Sequence, residues 1–412
     1  MEQELIRRGR EKIEWARSWM PLLAEIRGGF IQDRPFSGRR VGVSIHLEAK
    51  TACLALLLRD GGAQVFVTGS NPLSTQDEVA AALAEEDGIS VYARRGVNQE
   101  QYRDQLKRVL EKKPQLILDD GGDLTSLMHE LGDTDGVLGG AEETTTGVTR
   151  LRVWRKQDRL RFPMFAVNDA KMKYLFDNRY GTGQSTWDAI MRSTNMLVAG
   201  KSVLVAGYGW CGRGIALRAH GLGARVSVAE VDPVRAVEAV MDGFKVAPLR
   251  EAIGEADFVI TATGCRDVVM KEALLHAKDG LLLANAGHFD VEIGKPALSS
   301  LASSRRTARE GIEEFTLNDG RRVYLLGEGR LVNLVLGDGH PIEIMDISFA
   351  LQALTLRYLV ENAPLAVDLY AVPPQVDDHV ARMKLASLGV QIDSLSAEQR
   401  EYLGLEPVDK VR

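Results

Sequence analysis

Gly207, Gly209 and Gly212 form a G-x-G-x-x-G triplet. It follows the apolar run Ser202 to Ala206 and opens a helical run, Gly212 to Gly221. Each glycine has a separate task in such a motif: a tight turn, close approach of backbone to a pyrophosphate, and close packing of helix on strand. The helix start adds free N–H groups and the positive end of a dipole. Glu230 closes the next strand, at about the ~20-residue offset of an acid that holds a ribose 2′-hydroxyl. Its carboxylate would repel a 2′-phosphate, so NAD is expected rather than NADP. The bland alternative is a glycine turn that only lets a helix pack. Cys211, inside the loop, reads as a small filler.

Other polar residues cluster where strands are expected to end. They are Ser44-Ile45-His46-Leu47-Glu48, Asp119-Asp120-Gly121-Gly122-Asp123, Glu142-Glu143-Thr144-Thr145-Thr146, Asn168-Asp169 with Lys173, Asp177-Asn178, and Asn285-Ala286-Gly287-His288. Carboxylates, a lysine and histidines converging on one cleft suit proton transfer. A desolvated lysine beside a second base could lose enough basicity to accept a proton. Each cluster has a plainer reading. The aspartate run is also a good turn or helix cap, His46 a good structural histidine, and the threonine run a good β-rich surface. No metal site is expected, because no local His or carboxylate spacing completes one. His129 and His379 read as solvated and His276 as ordinary. These residues alone leave dehydrogenase, lyase and hydrolase open.

The elements that must hold these groups read as alternating strand and helix. A helix is expected over Glu4 to Ile26. Strands follow at Arg40 to His46, Gln64 to Thr68, Ile89 to Tyr92 and Gln115 to Leu118, with helices at Ala52 to Leu58, Gln76 to Glu86 and Gln99 to Lys112. The alternation restarts at Lys201, with strands at Ser202 to Ala206, Arg225 to Glu230, Phe258 to Ala262 and Gly280 to Ala286. Such alternation predicts mostly parallel sheets covered on both faces. A helix over Met345 to Asn362 is expected to pack back on the first domain. The close, Asp377 to Arg412, reads as an appended helix with an exposed tail. The 412 residues are 45% hydrophobic and 26% charged, as in ordinary globular domains. A net charge of −6 argues against a nucleic-acid partner. No apolar run reaches membrane-spanning length and the N-terminus shows no signal core. Three scattered cysteines, Cys53, Cys211 and Cys265, fit a cytoplasmic protein.

Taken together, the polar strings resemble the S-adenosylhomocysteine hydrolase family. The matching strings are Leu118 to Thr125 (LDDGGDLT), Glu142 to Val148 (EETTTGV), Val167-Asn168-Asp169, Phe176-Asp177-Asn178, Val205-Ala206-Gly207-Tyr208-Gly209, Gly287 to Ile293 (GHFDVEI) and Glu328 to Leu334 (EGRLVNL). Ser74-Thr75-Gln76-Asp77 also fits. They keep the family's order over nearly the whole chain. The resemblance implies two doubly wound α/β domains: substrate-binding (1–182 and 338–372) and Rossmann NAD-binding (183–337), with a C-terminal segment (373–412). They would close on hinges near 182–185 and 337–340. It also implies a redox cycle inside a hydrolysis. Hydride leaves ribose C3′, the ketone acidifies C4′, and loss of that proton expels homocysteine. Water then adds and hydride returns.

Carried over residue by residue, the resemblance makes Lys173 the base at the 3′-hydroxyl, with Asp177 beside it. Asp120 accepts the C4′ proton, and His46 serves the leaving thiol and entering water. Glu143 and His288 hold the ribose hydroxyls. Thr144, Thr145, Thr146, Asn178 and Asn333 line the nicotinamide end. Thr51, Asp338 and His340 join Glu48 and Lys50 at the substrate.

This chain departs from the family at the purine. Many members read His-Met-Thr-x-Glu-Thr where this one reads His46-Leu47-Glu48-Ala49-Lys50-Thr51. A lysine donates where the family glutamate accepts from an adenine amino group. Hypoxanthine carries an oxygen there, so S-inosylhomocysteine is an alternative substrate, as in archaeal and thermophilic-type members. The plainer reading is that Lys50 pairs with Glu48 and leaves adenine to backbone groups. Asp338 replaces a methionine often near the purine, and Thr182 a cysteine often near the cofactor. The family's C-terminal lysine and tyrosine, which reach a neighbour's NAD, have no clear counterpart; Lys410 is not assignable to that lysine. The family is a homotetramer, and the same is expected here. The alternatives are a plain dehydrogenase that releases NADH and a non-catalytic NAD-binding regulator.

Overall fold

The computed structural model describes residues 2–405; Lys410 lies outside them. Two sheets dominate. The first runs through β1 (Arg40–Ser44), β2 (Gln64–Thr68), β3 (Ile89–Val91), β4 (Leu116–Asp119), β5 (Gly139–Glu142) and β6 (Met164–Ala166). The second is built from β7 (Ser202–Ala206), β8 (Arg225–Ala229), β9 (Lys245–Val246), β10 (Phe258–Thr261), β11 (Leu281–Asn285), β12 (Ala302–Arg309), β13 (Ile312–Leu317) and β14 (Arg322–Leu326). A last strand, β15 (Leu369–Ala371), returns to the first sheet and pairs with β6.

The first sheet has the order β15-β6-β5-β4-β1-β2-β3, with every ladder parallel. The second has the order β12-β13-β14-β11-β10-β7-β8-β9; it is parallel from β14 to β9, and β12 and β13 add antiparallel at one edge. Both sheets therefore reverse direction beside their first strand, between β1 and β4 and between β7 and β10. Ligands in open α/β sheets bind at such reversals, beyond the carboxyl ends of the strands.

The central strands are apolar because helices cover both faces, whereas the edge strand β12 is polar and exposed. Leu116, Ile117 and Leu118 of β4 are fully buried, and Val203 to Val205 of β7 nearly so. The helix Ile342–Asn362 packs back on the first unit through Phe349, Leu351 and Leu356.

Three readings need correction. The expected helix Glu4 to Ile26 is two, Glu2–Ser18 and Pro21–Asp33. Pro21 has no N–H to continue a helix and pushes Met20 out of helical geometry, to φ −117° and ψ 68°. The C-terminal helix, Pro374–Ser387, is more than an appendage, since Val376, Val380 and Met383 enter the first core. His129 is not solvated. It lies between Trp154 and Phe162, accepts from Arg161 N and meets the Thr125 carbonyl.

Candidate active site

One cleft lies between the carboxyl ends of the two sheets. His46, Glu48, Lys50, Thr51, Asp120, Glu143, Thr144, Thr145, Thr146, Lys173, Asp177, Asn178, Gly209, His288, Asn333 and His340 all line it. Residues far apart in sequence meet because both chain reversals open on the same space.

The substrate end is built on β1 and β4. His46 follows β1 and Asp120 follows β4; their Nε2 and Oδ2 are 3.6 Å apart. His288, which follows β11 of the other sheet, puts Nδ1 3.8 Å from Asp120 Oδ1. Burial pushes both imidazoles towards the neutral form, His46 to about 3 and His288 to about 4. Burial also raises Asp120. Gly121 (φ +102°) permits the approach, since a Cβ there would lie 2.1 Å from His288 Nε2.

A π-helical turn, Tyr174–Gly181, carries the next group. Such turns are rare and often mark functional sites. Lys173 Nζ lies 3.0 Å from Asp177 Oδ1, 2.8 Å from Asn178 Oδ1 and 3.6 Å from Glu143 Oε1. Burial alone would lower the lysine, but Asp177 and Glu143 outweigh it and hold Lys173 above its ordinary value. The expectation of a lysine with lowered basicity is thus reversed in this state. The same pairing, with His340 beside it, overcomes burial and keeps Asp177 ionised. Glu143 has no such balance; burial pushes it up to about 8.

The cofactor end is the glycine loop. Gly207 has φ +95°, and a Cβ on Gly212 would sit 1.9 Å from the Gly207 carbonyl oxygen. Both positions therefore require glycine. Glu230 accepts from Tyr208 N at 2.6 Å and from Val231 N at 2.7 Å, so it also shapes the loop. Asn333 donates to Ser185 Oγ at 3.0 Å, while its buried Oδ1 has no partner. A free acceptor there fits the amide N–H of a nicotinamide. The residues present fit a dinucleotide.

At the purine end, Glu48 caps the helix Ala49–Asp60. Its Oε2 accepts from Lys50 N at 3.0 Å and Lys50 Nζ at 2.8 Å; its Oε1 accepts from Thr51 N at 3.3 Å, while the Thr51 hydroxyl donates to the His46 carbonyl at 2.6 Å. Lys50 Nζ also donates to the Asp338 carbonyl at 2.8 Å. The Asp338 side chain is a correction. It is exposed and bonded by Arg192 and Gln76, so only its main chain reaches the purine end. His340 touches Asp177 (3.3 Å) and Thr182 (3.2 Å), joining the two crossings between the units.

Sequence reasoning missed Ser348 and Gln352. Ser348 donates to Asp177 at 2.8 Å, and Gln352 donates to Glu143. They stand four residues apart, on one face of a largely apolar helix. That polar spacing was the available signal.

Profiles of S-adenosyl-L-homocysteine hydrolase match residues 2–137, and those of its NAD-binding domain match residues 178–339. The chain belongs to the S-adenosyl-L-homocysteine hydrolase family. An adenosylhomocysteinase of Thermotoga maritima is 58% identical, across 96% of this chain and 98% of that one. An S-inosyl-L-homocysteine hydrolase of Methanopyrus kandleri is 54% identical, across 98% and 96%. One solved structure, of a dipicolinate synthase from Bacillus halodurans, shares the fold with TM-score 0.50 at 13% identity, covering 79% of this chain and 99% of that one. The family's NAD-binding domain makes NAD the cofactor of the second unit.

Proposed function

We propose that this chain catalyses the reversible, NAD-dependent hydrolysis of S-adenosyl-L-homocysteine to adenosine and L-homocysteine. One observation carries the reading. Lys173, Asp177 and Glu143 meet Asp120, His46 and His288 in one buried cleft that also opens on the glycine loop. A plain dehydrogenase has no use for the second set, and a non-catalytic regulator has no use for either. The bound dinucleotide supplies hydride acceptance and return at ribose C3′. Lys173, held as an ammonium, binds the 3′ oxygen and steadies its growing negative charge, and the Lys173–Asp177 pair takes the proton as a unit. Glu143 and Asn178 orient the pair. Asp120 accepts the C4′ proton, to which its raised basicity is suited. The proton that Asp120 takes from C4′ passes through His46 to the leaving thiolate, and the entering water returns a proton by the same route. Closure of the substrate unit (1–182 with 338–372) on the NAD unit (183–337) keeps bulk water from the intermediate.

A second reading concerns the base. Glu48 already takes two N–H groups of its own helix and the Lys50 ammonium, so most of its acceptor capacity is spent within the protein. Lys50 keeps one uncommitted N–H, which favours a 6-oxopurine and hence S-inosyl-L-homocysteine. The decisive experiment incubates protein and homocysteine with adenosine or inosine and follows the thioether by chromatography. Product from either supports the reaction and names the base; no product from both, with NAD bound, refutes it.

We also propose a homotetramer in the cytoplasm. Val234, Val237, Val240 and Met241 form an exposed apolar stripe on the helix Pro233–Met241, as an interface between protomers would. The three thiols are free, as in a reducing compartment. Among the described residues no helix is long and apolar enough to cross a membrane. Val237→Asp should lower the mass seen by light scattering; an unchanged mass argues against this interface.

A further inference from the structure

Glu142 stands at the end of β5, directly before Glu143 and in register with Asp119 of β4. Successive side chains of an extended chain point opposite ways. Glu143 enters the cleft, whereas Glu142 lies behind it, fully buried and outside the lining. No step of the proposed reaction uses it, yet a buried carboxyl is costly unless it is bonded. All of its bonding runs through one oxygen. Oε1 accepts from Gly121 N at 2.8 Å, Thr144 N at 2.9 Å and Thr144 Oγ1 at 2.8 Å, while Oε2 is buried with no partner. Thr144 Oγ1 in turn accepts from Gly147 N at 3.0 Å, which leaves its own proton for Glu142. Burial, with Asp119 adding to it, holds the Glu142 carboxyl well above its ordinary range. It is therefore a neutral acid, and Oε1 is its carbonyl oxygen.

The donors belong to two different parts of the site. Gly121 follows Asp120, and its N–H lies in the turn that places that carboxylate between His46 and His288. Thr144 caps the helix Thr145–Lys156, whose first residues line the cleft. The fit around Glu142 is close: a Cβ on Gly147 would lie 2.0 Å from its Cδ. From the same helix Arg150 Nη1 donates to the Gly121 carbonyl at 3.0 Å, so the turn is held at both its N–H and its C=O. The helix has its own hydrogen-bond ladder, but the turn has little stiffness of its own, with Gly121 and Gly122 at φ +102° and +80°. We propose that Glu142 is a positioning residue: its Oε1 fixes the Asp120 turn against the threonine helix, and so sets the proton acceptor at C4′ against the hydride acceptor at C3′. The inference rests on the proposed reaction, which assigns those two ends. A displacement of roughly 1 Å can slow a reacting pair about 100-fold. Because Glu142 lies outside the cleft lining, its effect is expected on the proton step and not on binding.

The test separates two half-reactions in NAD-loaded protein mixed with adenosine or inosine. Oxidation at C3′ is read as NADH absorbance. Proton abstraction at C4′ is read as uptake of deuterium from solvent into the recovered nucleoside, by mass spectrometry. Glu142→Leu keeps the bulk but offers no acceptor. It should form NADH at near the wild-type rate and with unchanged KM, while C4′ exchange falls about 100-fold. Glu142→Gln presents the same carbonyl oxygen to the same three donors and should restore exchange. Glu142→Asp draws the oxygens back by one methylene; it should separate the half-reactions as Glu142→Leu does, and it serves if that variant fails to fold. The proposal is overturned if oxidation and exchange fall together in these two variants, if exchange keeps its wild-type rate in them, or if Glu142→Gln is as slow as they are. Wild-type protein that forms no NADH with either nucleoside would instead refute the reaction itself, and the proposal with it.

Discussion

Exchanging Glu48→Thr and Lys50→Glu together is expected to shift the protein's base preference toward adenosine. In the wild type the Glu48 carboxylate holds three donors, while Lys50 Nζ makes bonds to Glu48 and to the Asp338 carbonyl and keeps a third N–H free. The double exchange replaces that donor with an acceptor. Threonine remains a competent helix cap at position 48, so the helix Ala49–Asp60 should persist. Lys50→Glu introduces a buried carboxylate with no cationic partner, at a cost of about 3–5 kcal/mol, so folding of the double variant is checked first by circular dichroism. A hydrogen bond to a charged group is worth about 1.5–3 kcal/mol, so the inosine-to-adenosine ratio of kcat/KM should fall roughly 10- to 150-fold. The assay is a competition: homocysteine with equal adenosine and inosine, and the two thioethers resolved by chromatography. A folded double variant whose ratio moves less than about threefold, well under one such bond, would refute the role given to Lys50.

Three further outcomes follow from the geometry. Gly212→Ala places a Cβ on the Gly207 carbonyl and should yield protein purified without NAD, checked by acid release of the nucleotide. Asp346 accepts from Leu22 N and Leu23 N, at 3.1 and 3.0 Å, and so caps the helix Pro21–Asp33, which has no cap of its own. Asp346→Ala leaves both buried N–H groups bare, at about 1–3 kcal/mol each, and should lower Tm well beyond Asp346→Asn. NAD-free protein should lose stability as pH rises from about 7.5 to 8.5. Glu143, pushed up to about 8, holds its proton at the start of that window when folded but not when unfolded, while His46 and His288 are by then essentially neutral in both states. The slope is at most about 1.4 kcal/mol per pH unit. Glu143→Gln should flatten it in chemical denaturation, and an unchanged slope would count against the raised carboxyl.

Much of the site was legible in the primary structure because the residues concerned stand in short contiguous strings. A glycine loop is local: Gly207 needs positive φ and Gly212 lacks room for a Cβ, and both demands are met within one turn. Strand ends were legible for the same reason, since apolar runs such as Leu116 to Leu118 stop at charged residues. Segments whose pattern mixes periods were not. The π-helical turn Tyr174–Gly181 follows neither helix nor strand spacing, so the local chain does not disclose where Lys173, Asp177 and Asn178 point.

The chain by itself determined the alternation of strand and helix, the dinucleotide loop and the identity of the polar groups, because each depends on neighbours within a few residues. Only the tertiary structure decided how those groups act on one another. Two sheets reverse beside their first strands and face a common cleft, which brings His288 to Asp120 and Gln352 to Glu143. Charge strength then follows from distance and burial: Asp177, 3.0 Å away, holds Lys173 as an ammonium. Asp338 stood near the purine as a sequence position, yet its side chain faces solvent and Arg192. Position along a chain does not specify direction in space; packing does.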